Sequence, residues 1–200
     1  MINIGVLISG RGSNLQAIID SVEKGEVLAK VALVISNKPE AYGLERAKKH
    51  RIPTAVFEPD NFANKNDYES EIVKALKENK VDLVCLAGYM RIVGHVLLDA
   101  YKGKTINIHP ALLPAFPGPH GSKQALDYGA KISGVTVHFV DEGCDTGPII
   151  LQQAVPVLEG DTEEALSARI LEEEHKIYPQ AIRLFAEGRL RIEGRKVKIM

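Results

Sequence analysis

Asn107 and His109 stand two residues apart in the run Thr105-Ile106-Asn107-Ile108-His109-Pro110. In a strand that spacing sends both side chains to one face. Thr105, Ile106 and Ile108 supply the β-branched character of a strand, and Pro110, which has no N–H for a ladder, ends it. The Pro-rich stretch from Ala111 to Gly118 then holds the chain extended or in turns. An amide and an imidazole projecting from a strand end suit the stabilisation of a developing oxyanion. Asp145, in Gly143-Cys144-Asp145-Thr146-Gly147, is the acid that can join them. A carboxylate beside an imidazole favours the charged ring and fixes its tautomer. That would make His109 a charged donor and Asn107 a neutral one. No Ser or Cys is placed to complete a nucleophilic triad, and nothing beside Cys144 marks it as activated. His109, His120, His138 and Asp145 show no recognised metal-ligand spacing, and His138 reads as a satisfied strand residue.

The second chemical feature is the turn Ser9-Gly10-Arg11-Gly12-Ser13-Asn14 between a strand and a helix. Backbone N–H groups at Gly12, Ser13 and Asn14 can converge at the positive helix end, which suits a phosphate. The turn is no dinucleotide fingerprint, because Leu15 stands where G-x-G-x-x-G needs its third glycine. The second strand also ends in Ser36-Asn37-Lys38 rather than in an acid for a ribose. No Gly-Lys-Ser/Thr follows, so it is not a P-loop either.

Alternating elements must position these groups. Strands are expected at Ile2–Ile8, Val31–Ile35, Thr54–Phe57 and Val81–Ala87, with helices at Asn14–Lys24, Tyr42–His50 and Asp67–Asn79. Leu15, Ile18, Ile19 and Val22 form the buried stripe of the first helix and Gly25 stops it. This order predicts an α/β fold, a Rossmann-like doubly wound sheet with a parallel first half. After His109 the pattern changes. Gly121–Gly129 holds a helix with Ser122 as N-cap, and Ser133–Val140 and Gly147–Val157 are close enough in sequence to pair antiparallel, giving a mixed sheet. Thr162–Glu187 is a long helix that Pro179 should kink. Leu190–Ile192 and Lys196–Ile199 close the chain as a hairpin or as exposed tail strands. The whole reads as one domain, 1–200, with a phosphate-binding half (1–100) and a catalytic half (101–200).

Two hundred residues at 45% hydrophobic content suffice for one well-buried domain or two tightly fused halves. A formal charge of −1 and a pI near 6.6 argue against nucleic-acid or membrane-surface partners. No apolar run reaches the roughly 18 residues of a bilayer span, and Met1–Ile8 lacks the basic start of a signal peptide. Two distant cysteines point to a reduced, cytoplasmic protein.

These residues also carry a resemblance. Ile8–Ala17, Leu86-Ala87-Gly88-Tyr89-Met90-Arg91-Ile92, Ile106–Gly118, Asp141–Pro148 and Glu174-His175-Lys176-Ile177-Tyr178-Pro179 resemble, in order, the phosphoribosylglycinamide formyltransferases. The likeness runs from Met1 to about Ile192. The Asn-x-His-Pro-x-Leu-Leu-Pro run is typical of folate-dependent formyl transferases and hydrolases, and the Gly-x-Gly-Ser-Asn turn with this length narrows the match. The resemblance implies transfer of formyl from the co-substrate 10-formyltetrahydrofolate to the amine of glycinamide ribonucleotide, with no metal. It implies Asn107, His109 and Asp145 as the catalytic trio. Gly12, Ser13 and Asn14 match the substrate-phosphate site, and Glu174 a carboxylate near the substrate amine. Met90, Arg91, Ile92 and Val93, with the loop Asp141, Glu142, Gly143, Cys144 and Asp145, match the folate pocket, which Asn107 also borders. Lys65 falls where a cation contacts the folate. His120 and Cys144 receive no catalytic role.

The partners so implied are two small molecules, with the protein a monomer or homodimer. Formyltetrahydrofolate hydrolase and methionyl-tRNA formyltransferase are the enzymatic alternatives. The first normally carries an N-terminal regulatory domain and the second a basic C-terminal one. A non-catalytic nucleotide-binding module would need the turn but not the Asn107, His109 and Asp145 cluster. Two local expectations follow from the family likeness. Leu113–Pro114 should be a cis peptide, and Glu174 should be more buried than Glu172 or Glu173 and face the cleft of Asn107.

Overall fold

Ile4, Gly5, Val6, Leu7 and Ile8 are all buried in strand β1 (Ile2–Ile8), the mark of a strand covered on both faces, as parallel sheets require. The computed structural model describes all 200 residues. They divide into two compact units, Met1–Ile106 and Asn107–Met200.

In the first unit β1 pairs in parallel with β2 (Ala29–Ser36) and β4 (Leu83–Leu86), and β3 (Thr54–Val56) pairs in parallel with β2, giving the order β3-β2-β1-β4. The registers Ile8↔Ser36 and Leu7↔Leu86 bring three strand ends to one edge. The helices are α1 (Ser13–Glu23), α2 (Tyr42–Lys49), α3 (Lys65–Glu78) and α4 (His95–Ala100), with a single 3₁₀ turn at Pro59–Asn61. Asn64 caps α3, its side chain accepting from the Asp67 N–H at 3.0 Å. Tyr68, Ile72, Val73 and Leu76 then form the buried stripe of that helix. The short α4 was not anticipated from the sequence: six residues are too few for a periodic signal, and its first turn is satisfied by a distant side chain described below.

Strand β5 (Thr105–His109) carries its last three residues into the second unit. There the order is β5-β6-β7-β9-β8, with β6 (Ile132–Phe139), β7 (Ile149–Pro156), β8 (Leu190–Glu193) and β9 (Lys196–Ile199). As expected, β6 and β7 run antiparallel and β8 and β9 form a hairpin, but β9 also touches β7 in parallel. The mixed α/β architecture expected from the sequence is therefore present.

One boundary differs from expectation. Helix α5 (Gly121–Tyr128) begins one residue before Ser122, capped by His120 in a left-handed conformation without a side-chain bond. Ser122 is buried inside the first turn and does not serve as the cap. Helix α6 (Glu163–Ala186) runs on through Pro179. Its start is as predicted, Thr162 accepting from the Ala165 N–H at 3.2 Å. No helix of the chain is long and apolar enough to cross a membrane.

Candidate active site

Strand β5 presents Asn107 half-buried and His109 buried, and β6 presents His138 buried, where period-2 alternation puts Thr136 and His138 on one face. The loop after β6 returns Asp145 to all three. Asn107 Nδ2 donates to Asp145 Oδ1 at 3.3 Å, and the Gly118 N–H donates to Oδ2 at 2.8 Å. His109 Nδ1 lies 3.3 Å from Oδ2, and His138 Nε2 lies 3.6 Å from Oδ1. At 3.6 Å His138 acts on the carboxylate as a neighbouring dipole or charge rather than through a good hydrogen bond.

The remaining ring nitrogens decide the proton arrangement. His109 Nε2 lies 2.8 Å from the Phe116 carbonyl oxygen, so both nitrogens of His109 face acceptors. Only a doubly protonated imidazole donates to both. His138 Nδ1 lies 2.8 Å from the Phe139 carbonyl, leaving Nε2 opposite Asn107 Nδ2 at 3.2 Å. With Nδ1 directed at the Phe139 carbonyl, His138 turns Nε2 toward both Asn107 Nδ2 and Asp145 Oδ1. His138 is thus tied both into its strand and to the cluster, a role the sequence reading did not give it. The alternation Thr136, His138 was the available signal.

The Asp145 carboxyl is held at about 2. Burial works in the opposite direction, but His138, the Gly118 N–H and His109 outweigh it. The same charge acts on its neighbour. Burial, then the Asp145 charge, push the Cys144 thiol up, so Cys144 is exposed yet no activated nucleophile. Asp141 Oδ1 accepts from the Gly143 N–H at 3.1 Å and the Thr146 hydroxyl at 2.6 Å, bracing the loop that carries Glu142 and Cys144.

The turn after His109 is fixed from β6 and β7. The buried Thr136 hydroxyl donates to the Ala111 carbonyl at 2.6 Å and accepts from the Leu113 N–H at 3.1 Å. Gln152 Nε2 donates to the Leu113 carbonyl at 2.8 Å and to the Thr136 hydroxyl at 3.0 Å. Leu113–Pro114 is cis. Neither Thr136 nor Gln152 stood out in the sequence, because their partners are backbone atoms of a distant turn and each other.

On α6 the spacing Leu166, Ile170, Glu174, Tyr178, Ile182 places Glu174 on the helix's buried stripe. Glu174 is 7% exposed, whereas Glu172 is exposed and Glu173 half-buried, the latter paired with Lys176 at 2.7 Å. His120 is exposed, its Nδ1 3.5 Å from Glu163.

In the first unit, Gly12, Ser13 and Asn14 form the start of α1, with Gly12 at φ +68° and Asn14 buried. A Cβ on Gly12 would lie 2.7 Å from the Gly43 Cα, so only glycine allows α2 to pack this close to the turn. The Gly43 N–H donates to the Gly10 carbonyl at 3.0 Å, and Arg46 Nε donates to the Arg11 carbonyl at 2.9 Å. These two bonds and the close approach of Gly43 fix the shape of the turn at the start of α1, where the first N–H groups of a helix lack partners within it. At the end of β4, Met90, Arg91 and Ile92 are exposed and Val93 is buried. Lys65 opens α3, its Nζ 3.9 Å from Glu69.

Comparison with known proteins gives these arrangements a family. Residues 2–182 match the family described as formyl transferase. The phosphoribosylglycinamide formyltransferase of Bacillus subtilis is 48% identical over 92% of this chain and 94% of its own. The trifunctional purine biosynthetic protein adenosine-3 of Drosophila pseudoobscura pseudoobscura is 50% identical over 94% of this chain. This chain spans only 14% of the length of that larger relative. The crystal structure of glycinamide ribonucleotide transformylase 1 from Symbiobacterium toebii superposes with a TM-score of 0.99 at 56% identity, covering 100% of this chain and 94% of that one. The chain belongs to the formyl transferase family, in its phosphoribosylglycinamide formyltransferase branch.

Proposed function

We propose that this protein transfers the formyl group of 10-formyltetrahydrofolate to the amine of glycinamide ribonucleotide, a step of de novo purine biosynthesis in the cytoplasm. The observation that carries the reading is the Asp145 carboxylate tied at 3.3 Å to both Asn107 and His109. The relatives' names supply the nucleotide substrate, and the family resemblance supplies the folate donor.

The neutral amine attacks the formyl carbon directly, so the reaction calls for neither a protein nucleophile nor a metal. A carbon–nitrogen bond forms and the formyl oxygen becomes an oxyanion. The Asn107 amide and the charged His109 ring stabilise it as donors in a dry site. With Nδ1 engaged by Asp145, the proton on His109 Nε2, which faces the Phe116 carbonyl at 2.8 Å, is the one that would turn to the substrate for transfer. The tetrahedral carbon then releases the folate N10, which takes up a proton as the amine nitrogen loses one. Asp145 holds the ring in place and favours its charged form. Glu174, a carboxylate on an otherwise apolar stripe, would receive the substrate amine. Gly12, Ser13 and Asn14 would hold its phosphate. Met90, Arg91, Ile92 and Val93, with the loop 141–145 and Lys65, would receive the folate. Holding both substrates supplies the proximity the uncatalysed reaction lacks.

The test is a direct assay of purified protein with glycinamide ribonucleotide and 10-formyltetrahydrofolate, with free formate measured in parallel. Formylated nucleotide without free formate is the expected outcome. Formate released independently of the nucleotide would mean a hydrolase, and transfer only to a charged initiator tRNA would mean that relative's activity.

A further inference from the structure

The segment from Met90 to Val93 combines exposure with restraint. Met90 and Ile92 are 74% and 68% exposed, large apolar side chains that a protein normally covers. Yet the backbone on both sides of them is gripped, and two consecutive residues of α3 take part. On the leading side the Tyr68 hydroxyl meets the Tyr89 hydroxyl at 2.5 Å, and the Met90 N–H donates to the Ser9 hydroxyl at 2.8 Å. On the trailing side the Glu69 carboxylate accepts from the Gly94 N–H at 2.5 Å and the Leu97 N–H at 3.3 Å. Arg91 lies over the Tyr68 ring, 5.4 Å from its centroid.

Glu69 is 3% exposed, and a carboxylate is almost never so buried without a defined set of partners. Here those partners are the opening N–H groups of α4. That six-residue helix has no side-chain cap of its own, because its N-cap is Gly94. A helix this short is marginal by itself, and a negative group at its start compensates both the open donors and the dipole. Gly94 leaves room for this contact: a Cβ there would sit 2.9 and 3.0 Å from the two carboxylate oxygens and would push the carboxylate aside.

We propose that Tyr68 and Glu69 are positioning residues for the folate, holding Met90–Val93 from both ends in the shape that receives the pterin ring. The inference rests on the proposed function and adds to it residues that touch no substrate. A binding loop fixed in advance loses little entropy when its ligand arrives, so the grip should appear in folate affinity. Burial raises both tyrosines and keeps them protonated, so one hydroxyl can donate while the other accepts.

The experiment compares wild type, Tyr68→Phe, Tyr89→Phe, the double Phe variant and Glu69→Gln. Binding of tetrahydrofolate is measured by calorimetry, and the Michaelis constants of both substrates by turnover. Tyr68→Phe and Glu69→Gln should each weaken tetrahydrofolate binding and raise the Michaelis constant for the formyl donor by roughly 10-fold, as for outer partners that orient a binding group. The Michaelis constant for glycinamide ribonucleotide should stay unchanged. Tyr89→Phe should match Tyr68→Phe, and the double variant should add nothing, because both remove one contact. Should Glu69→Gln fail to fold, the tyrosine cycle decides alone. Folded variants with unchanged folate affinity, or with equal losses for both substrates, overturn the proposal while wild-type transfer leaves the function standing. Wild type that neither binds tetrahydrofolate nor transfers formyl removes the functional reading and this inference together.

Discussion

Asp145 Oδ2 lies 3.3 Å from His109 Nδ1 while the Asp145 backbone itself is left-handed, at φ +55°. A residue other than glycine in that region costs on the order of 1–3 kcal/mol and persists only where its surroundings over-determine it. Here the Gly118 N–H, Asn107 and His109 all fix the carboxylate. The loop gives up local comfort to deliver one acid to one imidazole. Replacing Asp145 by Asn keeps the size but supplies an amide nitrogen where an acceptor is needed. Turnover should fall by about 10²–10⁴-fold, the usual worth of acid–base assistance, with tetrahydrofolate binding largely kept. Near-normal turnover would reduce Asp145 to a loop residue.

The acid limb of stability should carry the same residue's signature. Its folded value of about 2 lies below the usual carboxylate value near 4, so the ionised group stabilises the fold at higher pH. That contribution is complete above the unfolded value and drains away as pH falls through the range from about 4 to about 2. Thermal melts of wild type and Asp145→Asn across this range should therefore converge as pH drops. Parallel curves with a constant offset would contradict the ionised, partnered carboxylate.

Thr136→Val tests the clamp on the turn after His109. The buried hydroxyl serves the Ala111 carbonyl, the Leu113 N–H and Gln152 at once. An isosteric methyl leaves buried polar groups unsatisfied, at about 1–3 kcal/mol. Denaturant unfolding should show a loss in that range, and turnover should fall more than substrate binding does. A stability change within error would mean that water replaces the hydroxyl.

Asn14→Ala separates the two substrates. If the start of α1 holds the phosphate, the Michaelis constant for glycinamide ribonucleotide should rise well above that for the formyl donor. Equal rises would argue for a purely structural Asn14, which is buried.

Glu174→Gln keeps the buried stripe of α6 filled and removes only a charge. The expected result is a preserved melting temperature with weaker binding of the amine substrate. A variant that binds the nucleotide normally but melts early would make Glu174 a fold residue.

How far the sequence reaches can be judged from particular residues. The period of two in Asn107 and His109 already placed both on one strand face, whereas the burial of Glu174 was expected from the family likeness and not from the helix pattern, in which Glu172, Glu173 and Glu174 read as a solvated run. The glycine turn before α1, the antiparallel pairing of β6 with β7 and the cap at Thr162 were legible for the same reason: each is a local preference of backbone and side chain. What sequence could not show depends on partners far along the chain. His138 joins Asn107 across 31 positions, the Gly118 N–H donates to Asp145 across 27, and α4 exists with a carboxylate 25 residues upstream at its start. Ser122 lost its predicted cap role because packing buried it one residue inside the helix. Local chemistry selected the elements and the candidate groups. Tertiary structure alone decided that His138 and the Gly118 N–H join the acid and that Glu69 caps α4, because hydrogen bonds between distant segments leave no period in the sequence.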